Sequence, residues 1–259
     1  MVYGGRRSRA YQKGNDLVNK LPVIGVTVDR CDNHPQRYES VCDYTTAVER
    51  AGGLPVMLPY RVSEELASQY VDLLDGIVFT GGDDLNPSLY GETYHPKAEP
   101  VDPKRQQFEL ALMAEAERRR LPMLGICLGE QLMNVYRGGS LIQFLPDLHR
   151  ENALEHRSMG DPTRRHLVKI VEGTLLAETI GKRQITVNTR HKQAVGRLGQ
   201  GLRVNAIATD GIIEGVEDPS LPLFLGVQWH AENLTDMPEH LAVFKLLVEK
   251  AGKKMSNEK

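Results

Sequence analysis

Four short, uninterrupted apolar runs punctuate the first half of this chain, and a helical pattern follows each one. PVIGVTV (22–28), LPVMLP (54–59), GIVFT (76–80) and LPMLGI (121–126) carry apolar residues at consecutive rather than alternate positions. Strands of that kind must be covered on both faces, as in a parallel sheet flanked by helices. The intervening segments supply the helices. Residues 38–53 place Val41, Tyr44, Ala47 and Val48 at helical spacing and end at Gly52–Gly53. SEELASQYVDLLD (63–75) opens on Ser63, with Glu64 and Glu65 in its first turn. PKRQQFELALMAEAERRR (103–120) and LGEQLMNVYRGG (128–139) complete the set. The pattern predicts an α/β fold with a mostly parallel central sheet and helices on both faces.

The second half is less regular. HLVKIV (166–171), QITVN (184–188), LRVNAIAT (202–209) and GIIEGVE (211–217) read as a small antiparallel β element, after a loop from Phe144 to Arg165. LPLFLGVQWH (221–230) returns to the buried-strand pattern, and MPEHLAVFKLLVEKAG (237–252) is a closing amphipathic helix. No linker separates the halves, so residues 21–252 are expected to form one domain. Residues 1–20 read as a disordered basic leader and 253–259 as a frayed tail.

Composition narrows the function classes. Thirty-two basic side chains against 34 acidic ones give a net charge of −2, which provides no general field for nucleic acid. The leader lacks an apolar core and is not a secretory signal, and no stretch reaches the roughly 20 apolar residues that cross a bilayer. Three cysteines without a C-x-x-C pair argue against disulfides and structural zinc, and a reducing cytoplasm is expected. The histidines show no ligand spacing, so neither metal nor cofactor is expected.

In parallel α/β sheets, ligands bind beyond the carboxyl ends of the strands. That rule selects TGGDDLNPSLYGE (80–92) and CLGEQ (127–131). Cysteine is among the most buried residue types, so Cys127 could be simple core. Yet Gly125-Ile126-Cys127-Leu128-Gly129 has the spacing of a nucleophile elbow, with sulfur in place of a serine oxygen. Such a turn sets the sulfur at a helix N-terminus, where the thiolate is favoured. Attack on an amide needs oxyanion donors, for which the Leu128 N–H and the Gly81–Gly82 loop are candidates. It also needs a base. His34, His95, His149 and His156 lie in polar stretches and read as surface residues, and His240 as half exposed. His230 ends an apolar strand with Glu232 two residues on, a spacing that lets the carboxylate orient the imidazole if strand geometry persists past Ala231.

With these residues in hand, PVIGVT, AGGLPVMLP, DGIVFTGGDDLNPSLYGE, GICLGEQLMNVYRGGSL, VNTRHKQAV and GVQWHAE together resemble, in order, segments of the class I glutamine amidotransferase-like family. The likeness is to its free-standing gamma-glutamyl hydrolase branch, of the peptidase C26 type, typified by gamma-glutamyl-gamma-aminobutyrate hydrolase. It runs from Leu21 to Ala251. The resemblance implies a flavodoxin-like fold and a triad of Cys127, His230 and Glu232. It also implies oxyanion donors at Gly81, Gly82 and Leu128, and substrate contacts from Gln131 and His191. Ala231, Lys192 and Phe144 depart from the usual proline, histidine and aspartate.

What the resemblance implies is a hydrolase acting on a small-molecule gamma-glutamyl amide through a thioester. The alternatives are a glutaminase feeding ammonia to a synthase partner and a regulatory relative without catalysis. No nucleic acid or membrane partner is expected, and homo-oligomerisation is left open. The loops around Asp83–Glu92 and Phe144–Arg165 are expected to meet the leaving amine. Arg150, Arg157, Arg164 and Arg165 outnumber Asp83, Asp84 and Glu92 there, which leans towards an acidic amine.

Overall fold

The computed structural model describes residues 20–257 apart from 32, 61–63 and 150. Nearly all of the leader and the capping Ser63 therefore lie outside the described residues. The elements run β1 (Val23–Thr27), β2 (Asp29–Arg30), β3 (Tyr38–Glu39), α1 (Cys42–Arg50), β4 (Leu54–Leu58), α2 (Glu64–Leu73), β5 (Gly76–Phe79), α3 (Pro103–Arg118), β6 (Met123–Ile126) and α4 (Leu128–Tyr136). They continue with β7 (Leu141–Ile142), β8 (Arg165–Ile170), α5 (Leu175–Ile180), β9 (Gln184–Asn188), β10 (Ala194–Val195), β11 (Arg203–Ala208), β12 (Ile213–Glu217), β13 (Phe224–Val227) and α6 (Pro238–Asn257). The closing helix thus runs past Gly252 to Asn257.

One sheet carries the order β4-β1-β5-β6-β13-β12-β11-β8-β9. Its first five strands are parallel, and in chain order they read 2-1-3-4-5, the flavodoxin-like arrangement. From β12 outward the neighbours are antiparallel. The antiparallel strands are thus a continuation of the same sheet, joined edge to edge through the β12–β13 pair. The short strands β7 and β10 pair with each other and hang from β12.

Side chains leave the parallel strands alternately to the two faces. Ile24, Val26, Val78, Leu124, Ile126, Leu225 and Val227 pack with Tyr44, Ala47 and Val48 of α1, Leu176 and Ile180 of α5, and Val243, Phe244 and Leu247 of α6. Ile77, Phe79, Met123 and Phe224 face the other way, against α2, α3 and α4 through Ala67, Val71, Phe108, Leu112, Leu128 and Leu132. Helix α5 is absent from the sequence-based expectation. It is six residues long, and its cap comes from Thr174, whose hydroxyl accepts from the Ala177 N–H.

Candidate active site

The turn from β6 into α4 carries Cys127 with φ 52° and ψ −105°, a strained conformation for a residue with a side chain. Such a backbone costs on the order of 1–3 kcal/mol and persists where its surroundings over-determine it. The flanking glycines show why. A Cβ on Gly125 would lie 2.6 Å from the Gly129 carbonyl carbon, and one on Gly129 would lie 2.2 Å from the Phe79 carbonyl oxygen. The Cys127 N–H donates to the Val227 carbonyl at 2.9 Å, so the turn is tied to the neighbouring strand β13. Cys127 itself is 6% exposed.

β13 stops at Val227, short of the expected His230. Beyond it, His230 stands before a short 3-10 turn over Ala231–Leu234. That turn, rather than strand alternation, brings the Glu232 carboxylate to 2.7 Å from His230 Nδ1. Cys127 lies beside the same ring and acts on its charge. Asn188, at the end of β9, grips the His230 backbone from both sides: its Nδ2 donates to the His230 carbonyl and its Oδ1 accepts from the His230 N–H, each at 2.9 Å. Burial alone would lower the imidazole pKa, but the Glu232 charge and Cys127 outweigh it and raise the pKa to about 10.

Gly81 and Gly82 follow β5 as expected, within the same cluster. A Cβ on Gly81 would lie 2.9 Å from His230 Cε1 and 3.5 Å from Cys127 Cβ. The Gly81 N–H, however, donates to the Tyr44 hydroxyl at 2.9 Å. That bond occupies the Gly81 N–H, one of the three groups expected to receive an oxyanion. The Tyr44 phenol is buried, and burial followed by the Glu232 charge keeps its pKa well above the usual value.

The loop hangs on Arg105, a fully buried residue of α3 that sequence reasoning missed. Its Nη2 donates to the Gly81 carbonyl at 2.8 Å and to Thr80 Oγ1 at 3.0 Å. Nε and Nη1 pair with Glu109 at 2.9 Å and Asp29 at 2.5 Å. Burial opposes the charge, but these two carboxylates hold the guanidinium pKa above its ordinary value. A signal existed: Arg105 and Glu109 stand four residues apart on the same helix face as Phe108 and Leu112.

Cys127 opens on a cavity of about 180 Å³ that is also lined by Gly82, Asp83, Asp84, Gln131, Arg157 and His191. Gln131 is held there by its Nε2, which donates to Gln228 Oε1 at 3.0 Å. Of the four loop arginines, Arg157 lines the cavity among the described residues, and it pairs with Glu155 through two bonds of 2.9 Å. Arg150 lies outside the described residues. The excess of arginine in that stretch is therefore not an excess at the cavity. Lys192 meets Asp84 at 3.1 Å as well as Glu99, so its charge is matched.

Two histidines sit elsewhere than expected. His156 is 2% exposed and His240 is fully buried, its Nε2 3.2 Å from the Thr186 carbonyl. His34 and His149 are exposed, and His95 is half-buried against Phe144. Glu130, also unforeseen, is fully buried beside Gly226, and neither carboxyl oxygen has a hydrogen-bond partner among the described residues. Burial, then the charges of Glu214 and Cys127, raise its pKa well above the carboxylate range.

A protein-family model described as Peptidase C26 matches residues 22–232. A Mycobacterium tuberculosis protein provisionally named a glutamine amidotransferase is 40% identical over 211 residues, 81% of this chain and 67% of its own length. The gamma-glutamyl-gamma-aminobutyrate hydrolase PuuD of Escherichia coli K12 is 36% identical over 82% of this chain and 85% of its own. Among solved structures, the glutaminase domain of Trypanosoma brucei CTPS with bound acivicin superposes with a TM-score of 0.60 at 18% identity, covering 90% of this chain and 94% of that domain, a likeness of fold. The chain belongs to the peptidase C26 family of class I glutamine amidotransferase-like proteins.

Proposed function

We propose that this chain hydrolyses gamma-glutamyl amides through a glutamyl thioester on Cys127. The observation that carries the reading is the meeting of three side chains: a cysteine in a strained elbow, an imidazole beside it, and a buried carboxylate hydrogen-bonded to that imidazole. In this mechanism Cys127 Sγ attacks the amide carbonyl carbon. The Gly82 and Leu128 N–H groups receive the developing oxyanion, and His230 gives its proton to the departing amine as the C–N bond breaks. Water then attacks the thioester, His230 takes its proton, and glutamate leaves with the thiolate restored. Glu232 orients the ring and stabilises its charged form. Gln131, Asp83, Asp84 and Arg157 line the cavity on the sulfur side and suit the zwitterionic glutamyl head.

For the leaving group we favour aminobutyrate, as released in polyamine catabolism, because the Escherichia coli relative carries that substrate in its name. The reading also places the protein in the cytoplasm, where a working thiol stays reduced. A panel of gamma-glutamyl amides, with released glutamate as the readout, tests it. Turnover of gamma-glutamyl-aminobutyrate well above glutamine supports it, and glutamine as the best substrate overturns it in favour of a glutaminase serving a synthase. That second reading has support from the 40% identical relative's name.

A further inference from the structure

Beside the cavity, the antiparallel half of the sheet brings four side chains to one buried point. Glu214 of β12 is fully buried. Its Oε1 lies 3.2 Å from His156 Nδ1, 3.2 Å from His166 Nε2 and 3.4 Å from His191 Nε2. His156 Nδ1 and His191 Nε2 are themselves 3.2 Å apart. The ligand atoms of His156, His166 and Glu214 all fall within 4.8 Å of one another.

Outer contacts decide where the ring protons sit. His156 Nε2 faces Asp210 Oδ2 at 2.9 Å, and His191 Nδ1 faces the Gln193 carbonyl at 2.8 Å. A carboxylate and a carbonyl only accept, so those outer nitrogens carry the hydrogens. The neutral rings then aim lone pairs inward, at each other and at a carboxylate oxygen. Three acceptors at such distances repel unless a cation lies among them. One added proton on His156 Nδ1 reaches Glu214 and His191 but leaves the His191–Glu214 pair, 3.4 Å apart, unbridged, whereas a metal ion bonds every atom of the set. A tetrahedral ion with bonds of about 2.0–2.1 Å sets its donors roughly 3.3–3.4 Å apart, close to the spacing of the three pairs that Glu214 makes and of the His156–His191 pair. Two of the three rings, His156 and His191, are thus held from behind by a carboxylate or carbonyl, as metal-binding histidines usually are, while His166 Nδ1 is buried without a hydrogen-bond partner among the described residues. The two buried carboxylates, Glu214 and Asp210, balance a dication.

We propose that His156 Nδ1, His166 Nε2, His191 Nε2 and Glu214 Oε1 bind one divalent transition-metal ion of zinc-like preference. Three nitrogens and one oxygen suit such an ion better than magnesium or calcium. Four protein ligands close the coordination sphere, so the ion clamps structure and does not activate water. It ties the loop before β8, the segment after β9 and strand β12 together, and through His191 it fixes one wall of the cavity beside Cys127. The chain separations between these residues are too long for spacing alone to reveal them.

The test uses the full chain, stripped with a chelator and checked for folding by circular dichroism. Equilibrium dialysis against Zn²⁺ and the visible spectrum with Co²⁺ report binding. One equivalent at micromolar concentration, a tetrahedral Co²⁺ spectrum and a higher melting temperature with metal are expected. His166→Gln and Glu214→Gln should each weaken uptake at least tenfold, and His34→Gln should not. Should Glu214→Gln fail to fold, His166→Gln and the Co²⁺ spectrum of the wild-type chain still decide the matter. A folded, stripped wild-type chain that takes up neither ion would overturn the proposal and leave a proton-bridged cluster. Uptake unaffected by His166→Gln would overturn it as well.

Discussion

Asn188 holds the backbone of His230 in a two-bond clasp, accepting from its N–H and donating to its carbonyl, each at 2.9 Å. The residue that presents the imidazole is thereby anchored to β9, the edge strand of the antiparallel half, whereas Cys127 follows β6 of the parallel half. Asn188→Ala removes both bonds without touching the reacting groups. A misplacement of about 1 Å can cost on the order of 10²-fold, so kcat should fall roughly 10- to 100-fold with KM little changed. Steady-state kinetics on a folded variant check this, and unchanged kcat would show that the clasp does not position His230.

Cys127→Ala should abolish turnover while the far-ultraviolet circular dichroism stays that of the wild type. Cys31 is half-buried and Cys42 exposed, both outside the cluster, so their alanine variants should keep activity. Mass spectrometry after brief exposure to a gamma-glutamyl substrate should find the acyl adduct on Cys127.

The His230 pKa of about 10 gives a pH prediction. The alkaline limb of kcat/KM should lie near pH 10, where the ring loses the proton it must give to the amine. Glu232→Gln removes the largest of the influences that raise this pKa, so the limb should move to lower pH. A limb that stays in place would contradict the role given to Glu232. The sign for stability follows from linkage. A raised histidine pKa stabilises the fold fully below its unfolded value of 6.5, and the contribution is lost as pH climbs towards 10.

Arg105→Ala strands Asp29 and Glu109 and frees the Gly81–Gly82 loop. Breaking a buried pair from one side costs about 3–5 kcal/mol, so a large fall in the urea midpoint is expected together with loss of activity. The double variant Arg105→Met/Glu109→Leu removes the stranded Glu109 and should regain much of the stability but not the activity, since nothing then holds the Gly81 carbonyl.

Gly129→Ala would place a methyl group against the Phe79 carbonyl, which belongs to rigid backbone. Overpacking of this kind costs about 1–3 kcal/mol, and relief requires the elbow to shift. Activity should drop far more than stability, as compared by thermal melting and kcat/KM.

The parallel half of the fold could be read from consecutive apolar residues because burial on both faces leaves that trace in sequence. Cys127 could be read because the elbow needs glycines at fixed offsets. Glu232 was foreseen for the right partner and the wrong geometry, since apolar Trp229 extends the strand pattern two residues beyond the end of β13. Arg105 was hidden by its type: a lone arginine in a charged helix resembles a solvated one until its buried partners are seen. The cluster around Glu214 was hidden by topology, because four segments distant in the chain contribute one residue each.

The place of β13 has a consequence for how the protein is made. It inserts between β6 and β12, two strands synthesised before it, and it leads directly into His230. Pairings between distant parts of a chain form slowly and only once both parts exist. A nascent chain carrying Cys127 therefore lacks His230 until the ribosome has added about a hundred more residues, the separation between the two positions in the sequence. A chain released before β13 lacks His230 and Glu232, both groups that the proposed mechanism pairs with Cys127.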